Sequence, residues 1–89
     1  MNRITPLPDF IREWAALKAQ YPQACVIIKA NLNLLKNAEP RTLPEIQWNA
    51  AARIYTWSFT PEDTGAPFPL ELDFYLEGNE VILAALEIM

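Results

Sequence analysis

The sequence predicts an α+β fold: an N-terminal helix packed on one face of a three- to four-stranded antiparallel sheet that ends in a β-hairpin. Three observations carry this reading. Leu70, Leu72, Phe74 and Leu76 alternate with Glu71, Asp73, Tyr75 and Glu77, and a period of two puts one set on each face of a strand. Gly78-Asn79 separates that run from a second apolar one, Glu80 to Met89, and both turn residues tolerate the positive φ of a tight hairpin. Near the other end, Phe10, Trp14, Leu17 and Tyr21 fall at i, i+4, i+7 and i+11, one stripe along a helix. A small sheet with one apolar face needs a cover, and this stripe supplies it.

Taken in order, residues 1–8 are a short lead-in, with Thr5 as a helix cap and proline in the first helical turn, where its missing N–H costs nothing. Helix is predicted over Pro8 to Gln20. Pro22 ends it by disfavouring the α conformation at Tyr21. Ala24 to Asn37 has two readings. As a strand, Val26, Ile28, Ala30, Leu32 and Leu34 share a face; as a helix, Lys29, Asn33, Lys36 and Asn37 cluster and Asn31 intrudes on the apolar side. The β-branched run Val26-Ile27-Ile28 favours the strand.

Asn37 to Pro44 reads as a loop fixed by two prolines. Thr42-Leu43-Pro44-Glu45 fits a capping box that opens a short helix through Ala52. A strand over the same residues is the competing reading. Arg53 to Thr60 is strand, with Tyr55, Trp57 and Phe59 alternating with Ile54, Thr56 and Ser58. Register decides which set is buried, because a slip of one residue inverts every side chain. Under a helical cover the aromatic set is core. Thr60 to Pro67 then connects to the hairpin as an exposed segment.

With 89 residues the chain has room for one core. Its 52% hydrophobic and 20% charged content matches ordinary globular usage, which argues against disorder. The single cysteine, Cys25, excludes an intramolecular disulfide and fits a reducing compartment. No secretion signal is legible, and no apolar run approaches the roughly 20 residues of a membrane span. The expected location is cytoplasmic, with no membrane contact.

Charge is divided along the chain. All seven Lys and Arg residues lie at or before Arg53, against four acidic residues there, a balance of +3. From Ile54 onward seven carboxylates stand without a basic residue, a balance of −7 and a total of −4. Such polarity bears on partners and on association rate.

The chemistry-bearing residues are few. Histidine is absent, which removes the commonest general base and metal ligand. Cys25 sits in an apolar run and reads as a buried structural thiol. Ser58 is alone and within a strand, and two glycines cannot build a phosphate cradle. Glu71, Asp73 and Glu77 imitate a catalytic pair, since residues two apart on a strand lie roughly 6.6 to 6.8 Å apart, within the separation that inverting glycosidases use. A solvated sheet face, however, gives no pocket to split their pKa values. The same row offers only a loose hold for a hard divalent cation. No enzyme, catalytic residue, cofactor or metal is expected.

Direct nucleic-acid binding is not expected either, because the basic residues are scattered and the total charge is negative. The leading expectation is a non-catalytic protein–protein interaction module. Its acidic sheet face, with Glu71, Asp73, Tyr75 and Glu77 as the partner-binding residues, meets a basic protein. One specific form is an inhibitor that imitates the phosphate row of nucleic acid and blocks a nucleic-acid-binding protein. The alternative is a homo-oligomeric accessory protein, a homodimer, joined through its C-terminal strand. The third is a small ligand binder or enzyme, which needs an enclosed pocket.

Overall fold

In the computed structural model, which describes residues 2–37 and 43–89, the chain runs β1 (Arg3–Pro6), α1 (Pro8–Gln20), α2 (Pro22–Asn37), β2 (Ile46–Asn49), β3 (Ile54–Phe59), α3 (Pro61–Thr64), β4 (Leu70–Glu77) and β5 (Glu80–Ile88). The strands form one sheet in the order β1-β5-β4-β3-β2. The fold is α+β, as the alternation and the helical stripe predict. Two expectations are corrected. The sheet has five strands, and it is mixed, because β1 joins β5 in parallel while the other pairs are antiparallel.

Pro22 ends one helix and begins the next. α1 stops where Tyr21 leaves the helical region (φ −133°, ψ 67°), and its N–H still bonds the Leu17 carbonyl. α2 starts on Pro22 itself, where a missing N–H is harmless. Residues 24–37 are therefore helix and not strand. Ala24, Cys25, Ile28, Leu32 and Leu35 are buried, a helical stripe, while Val26 is 66% exposed and Leu34 50%. Asn31, which spoils a clean helical pattern, donates from Nδ2 to the Ile27 carbonyl at 2.9 Å. Burial of a long amphipathic face outweighs the strand preference of three β-branched residues.

The lead-in is structured too. Arg3 to Pro6 pairs with Glu80 to Leu83. Thr5 is thus a strand residue and not the cap; Leu7 is the N-cap, without a side-chain bond, and Pro8 occupies the first turn. Just before β1, Asn2 donates from its backbone to the Lys36 carbonyl and from Nδ2 to the Leu35 carbonyl, both at 2.7 Å. These bonds satisfy carbonyls that the last turn of α2 leaves over. Between 43 and 52 the strand reading is the correct one. Leu43 accepts from Ile46 N–H in a turn, and β2 follows. Thr42, the proposed cap, lies outside the described residues, as do residues 38–41 of the predicted loop.

The helices cover one face of the sheet. Phe10 and Leu17 of α1 and Ile28, Leu32 and Leu35 of α2 meet Trp57, Phe59, Leu70, Leu72, Phe74, Val81, Leu83 and Leu86 in one core. Each such side chain contributes about 1.5–3 kcal/mol on burial. Trp57 and Phe59 are 4% and 3% exposed, so the aromatic set of β3 faces the helices. Ile54, Thr56 and Ser58 face the other way. A stacked pair, Tyr55–Phe74 at 5.6 Å, carries the aromatic row outward to Trp48 on the edge strand, 4.7 Å from Tyr55.

The hairpin holds one further device. Gly78 has φ +59°, and Asn79 is not left-handed, so only the first turn position demands glycine. Glu77 pairs with Glu80 and Phe74 with Leu83 in plain two-residue-turn register, but Asp73 then pairs with Ala85 and Glu71 with Glu87. Ala84 is the extra residue of a β-bulge. The bulge shifts parity within β5, so Val81, Leu83, Leu86 and Ile88 all fall on the helix side.

Candidate functional site

The face of the sheet turned away from α1 and α2 carries the acidic residues. From β4 it presents Glu71, Asp73, Tyr75 and Glu77, opposite the buried Leu70, Leu72 and Phe74. From β5 it adds Glu80, Ile82 and Glu87, set by their partners Glu77, Tyr75 and Glu71. Five carboxylates thus share one open face. Ser58 lies beside Glu71 and Thr56 beside Asp73 on the β3 side. Arg3 sits beside Glu80 at the other margin. Among the described residues the ion pair is elsewhere, Arg12 with Asp9 on α1.

The four predicted site residues share this face but not the same surroundings. Glu77, beside the hairpin turn, is exposed; Glu71 and Tyr75 are half-buried; Asp73 is 9% exposed. Carboxylate oxygens of Glu71, Asp73 and Glu87 lie within 4.8 Å of one another. Glu71 and Asp73, two apart on β4, bring their oxygens closer than the strand spacing suggests, and Glu77 lies outside the cluster. Glu87, from the neighbouring strand, is the residue that sequence reasoning missed. A plain hairpin register puts Glu87 opposite Leu70 and hence on the core side; the bulge at Ala84 moves it outward. The signal was present in the spacing Val81, Leu83, then Leu86, Ile88, which changes parity between the Leu83 and Leu86 steps.

Asp73 is electrostatically distinct. Its Oδ1 is buried and has no hydrogen-bond partner. Removal from water, then the charges of Glu71 and Glu87 and hydrogen bonds shared with them, push its carboxyl up to about 7. At neutral pH the cluster therefore holds a proton for much of the time, and that proton bridges groups that otherwise only accept.

Comparison with family profiles, with curated proteins and with solved structures finds no match. The chemistry has to be argued from the geometry alone. A carboxyl near 7 is what acid–base chemistry uses, yet Glu71 and Asp73 do not border the grooves found among the described residues beside α1, the β4–β5 turn and α2. A groove of about 510 Å³ runs between the end of α1 and the end of β5 and is bordered by Glu13, Tyr21, Phe68 and Glu87. Its one acid on the helix side, Glu13, is engaged: its Oε1 accepts from Leu86 N–H at 3.0 Å. Cys25 is buried with its thiol pushed up by desolvation, Lys18 acting weakly against this. That is the setting of a packing residue and not of a nucleophile.

No helix among the described residues is long and apolar enough to cross a membrane. The C-terminal strand, expected at a sheet edge, is internal over Glu80–Leu83, where β1 covers it. Beyond Leu83 no strand among the described residues lies on that side, and Glu13 occupies the Leu86 N–H instead.

Proposed function

We propose that the protein is a non-catalytic interaction module whose acidic sheet face captures a basic protein partner in the cytoplasm. The observation that supports this reading is the gathering of Glu71, Asp73, Glu77, Glu80 and Glu87 on the one sheet face that no helix covers, with Arg3 as the cation at its margin. Fields of one sign on an open surface speed encounter with the opposite sign and reject like-charged partners. Glu77, Glu71 and Tyr75 make the contacts. Asp73, largely out of reach, contributes charge when a cation approaches and the shared proton leaves. A partner that normally holds nucleic acid has the chemistry to fit, since the spaced carboxylates imitate a phosphate row.

The test is charge reversal on a folded protein. Capture of basic proteins from the native host should be lost in the triple variant E71K/E77K/E87K, whose circular dichroism stays that of the parent. Capture should also weaken as salt shortens the Debye length from about 30 Å at 0.01 M to about 8 Å at 0.15 M. Capture that survives both changes refutes the reading.

A second reading, self-association through the C-terminal strand, draws on the exposure of Ile88 (64%) and Met89 (62%), where β5 is paired with β4 on one side and, among the described residues, with no strand on the other. Glu13 at the Leu86 N–H weakens it, because an edge already occupied by a carboxylate is a poor template for another strand.

A further inference from the structure

We infer that Glu71, Asp73 and Glu87 form a binding site for a hard divalent cation, with Ca²⁺ as the ion that fits. In the sequence the row on β4 offers such an ion only a loose hold, because its carboxylates are well separated along the strand. What alters this is the bulge at Ala84, which brings Glu87 of β5 against Glu71 and Asp73 of β4. The three then offer oxygens that all lie within 4.8 Å of one another. Two oxygens bound to one Ca²⁺ at about 2.4 Å can be at most about 4.8 Å apart, so the span is that of a shared ion.

The second observation is independent of the clustering. Asp73 is 9% exposed, its Oδ1 is buried, and no donor in the protein reaches it. A buried acceptor without a partner is costly, by about 1–3 kcal/mol and more for a charged group. Natural proteins rarely keep one without a purpose. Glu71 and Glu87 relieve it only through a proton shared within the cluster, and a cation takes the place of that proton. Ser58 and Thr56 stand in register beside Glu71 and Asp73 on the neighbouring strand. Carboxylates without imidazole or thiolate are the donor set of Ca²⁺, Mg²⁺ or Mn²⁺ and not of zinc or copper.

One side of the site is open to solvent, where water completes the coordination. Affinity should accordingly be modest, with a Kd on the order of 10⁻⁴–10⁻³ M. This inference does not rest on the partner reading. The two even oppose each other, since a bound ion takes three carboxylates off the acidic face.

Calorimetric titration of the purified protein with CaCl₂ at constant ionic strength, after chelator treatment, tests it. The expected result is saturable binding of one ion per chain. Mn²⁺ should broaden amide resonances centred on residues 71–73 and 85–88 before those of the hairpin turn. D73N and E87Q should each weaken Ca²⁺ binding at least about tenfold, because the ligand charge falls by one. Glu87 is exposed, so E87Q keeps the test independent of any folding effect at Asp73. E77Q, off the cluster, should bind within about twofold of the parent. The inference fails if no saturable binding occurs up to about 10 mM Ca²⁺, well above the weak end of protein calcium sites. It also fails if D73N and E87Q bind like the parent, or if E77Q weakens binding as much as they do.

Discussion

Asp73 shows how a single side chain can be set against the fold that holds it. Glu71 faces it on β4 and Glu87 on β5, Thr56 and Ser58 flank it from β3, and the helices lie on the other side of the sheet. Its carboxyl titrates near 7 in the folded protein against about 3.8 otherwise. Below both values the proton is bound in either state and pH has no effect through this group. Between them the folded chain binds more protons than the unfolded one, so stability falls as pH rises from about 4 to about 7. At about 1.4 kcal/mol for each tenfold in proton affinity, the loss is bounded near 4 kcal/mol. D73N removes the charge and keeps a donor for Glu71 and Glu87. In urea unfolding with chelator present, D73N should match the parent near pH 4 and exceed it near pH 8 by up to that amount. A parent whose stability rises across this window would contradict the account.

At the scale of elements, α2 separates what a sequence encodes locally from what tertiary packing decides. Val26 and Ile28 are two apart and equally good strand formers, so a strand puts them on one face with similar costs of truncation. In the helix Val26 is exposed and Ile28 is fully buried. V26A should therefore be neutral or stabilising by up to about 0.6 kcal/mol, as the helix propensities of Val and Ala differ. I28A should cost about 2–5 kcal/mol. Chemical denaturation of the two variants checks this, and equal losses would return the segment to a strand. α1, β3, β4 and the hairpin were legible because their periods are sustained and their stops, Pro22 and Gly78, are local. β1 was not: four residues carry too short a pattern, and its partner is a parallel strand at the far end of the chain. The cluster was half legible for the same reason. Glu71 and Asp73 could be read from alternation, while Glu87 depended on one extra residue in β5.

At the scale of the whole molecule, the charge division along the chain becomes a division between layers. Arg12, Lys18, Lys29 and Lys36 are exposed on the helices, with Asp9 and Glu13 among them, whereas the opposite sheet face holds five carboxylates and Arg3. The sheet face is net negative, whereas α1 and α2 together are net positive, an excess that Glu62 and Asp63 of α3 offset where it packs against α2. This constrains how copies can meet. A symmetric dimer presents the same patch from both subunits, so one centred on either face sets like charge against like. Charge attraction instead pairs the helix layer of one copy with the sheet face of the next, a head-to-tail contact that need not close. Sedimentation should therefore show a monomer at about 0.15 M salt, where the Debye length is about 8 Å. At about 0.01 M, where it reaches about 30 Å, the average mass should grow with concentration and without a plateau at two. E71K/E87K should abolish that growth. A discrete dimer that persists at every salt concentration would oppose this electrostatic account and point instead to apolar pairing at Ile88 and Met89.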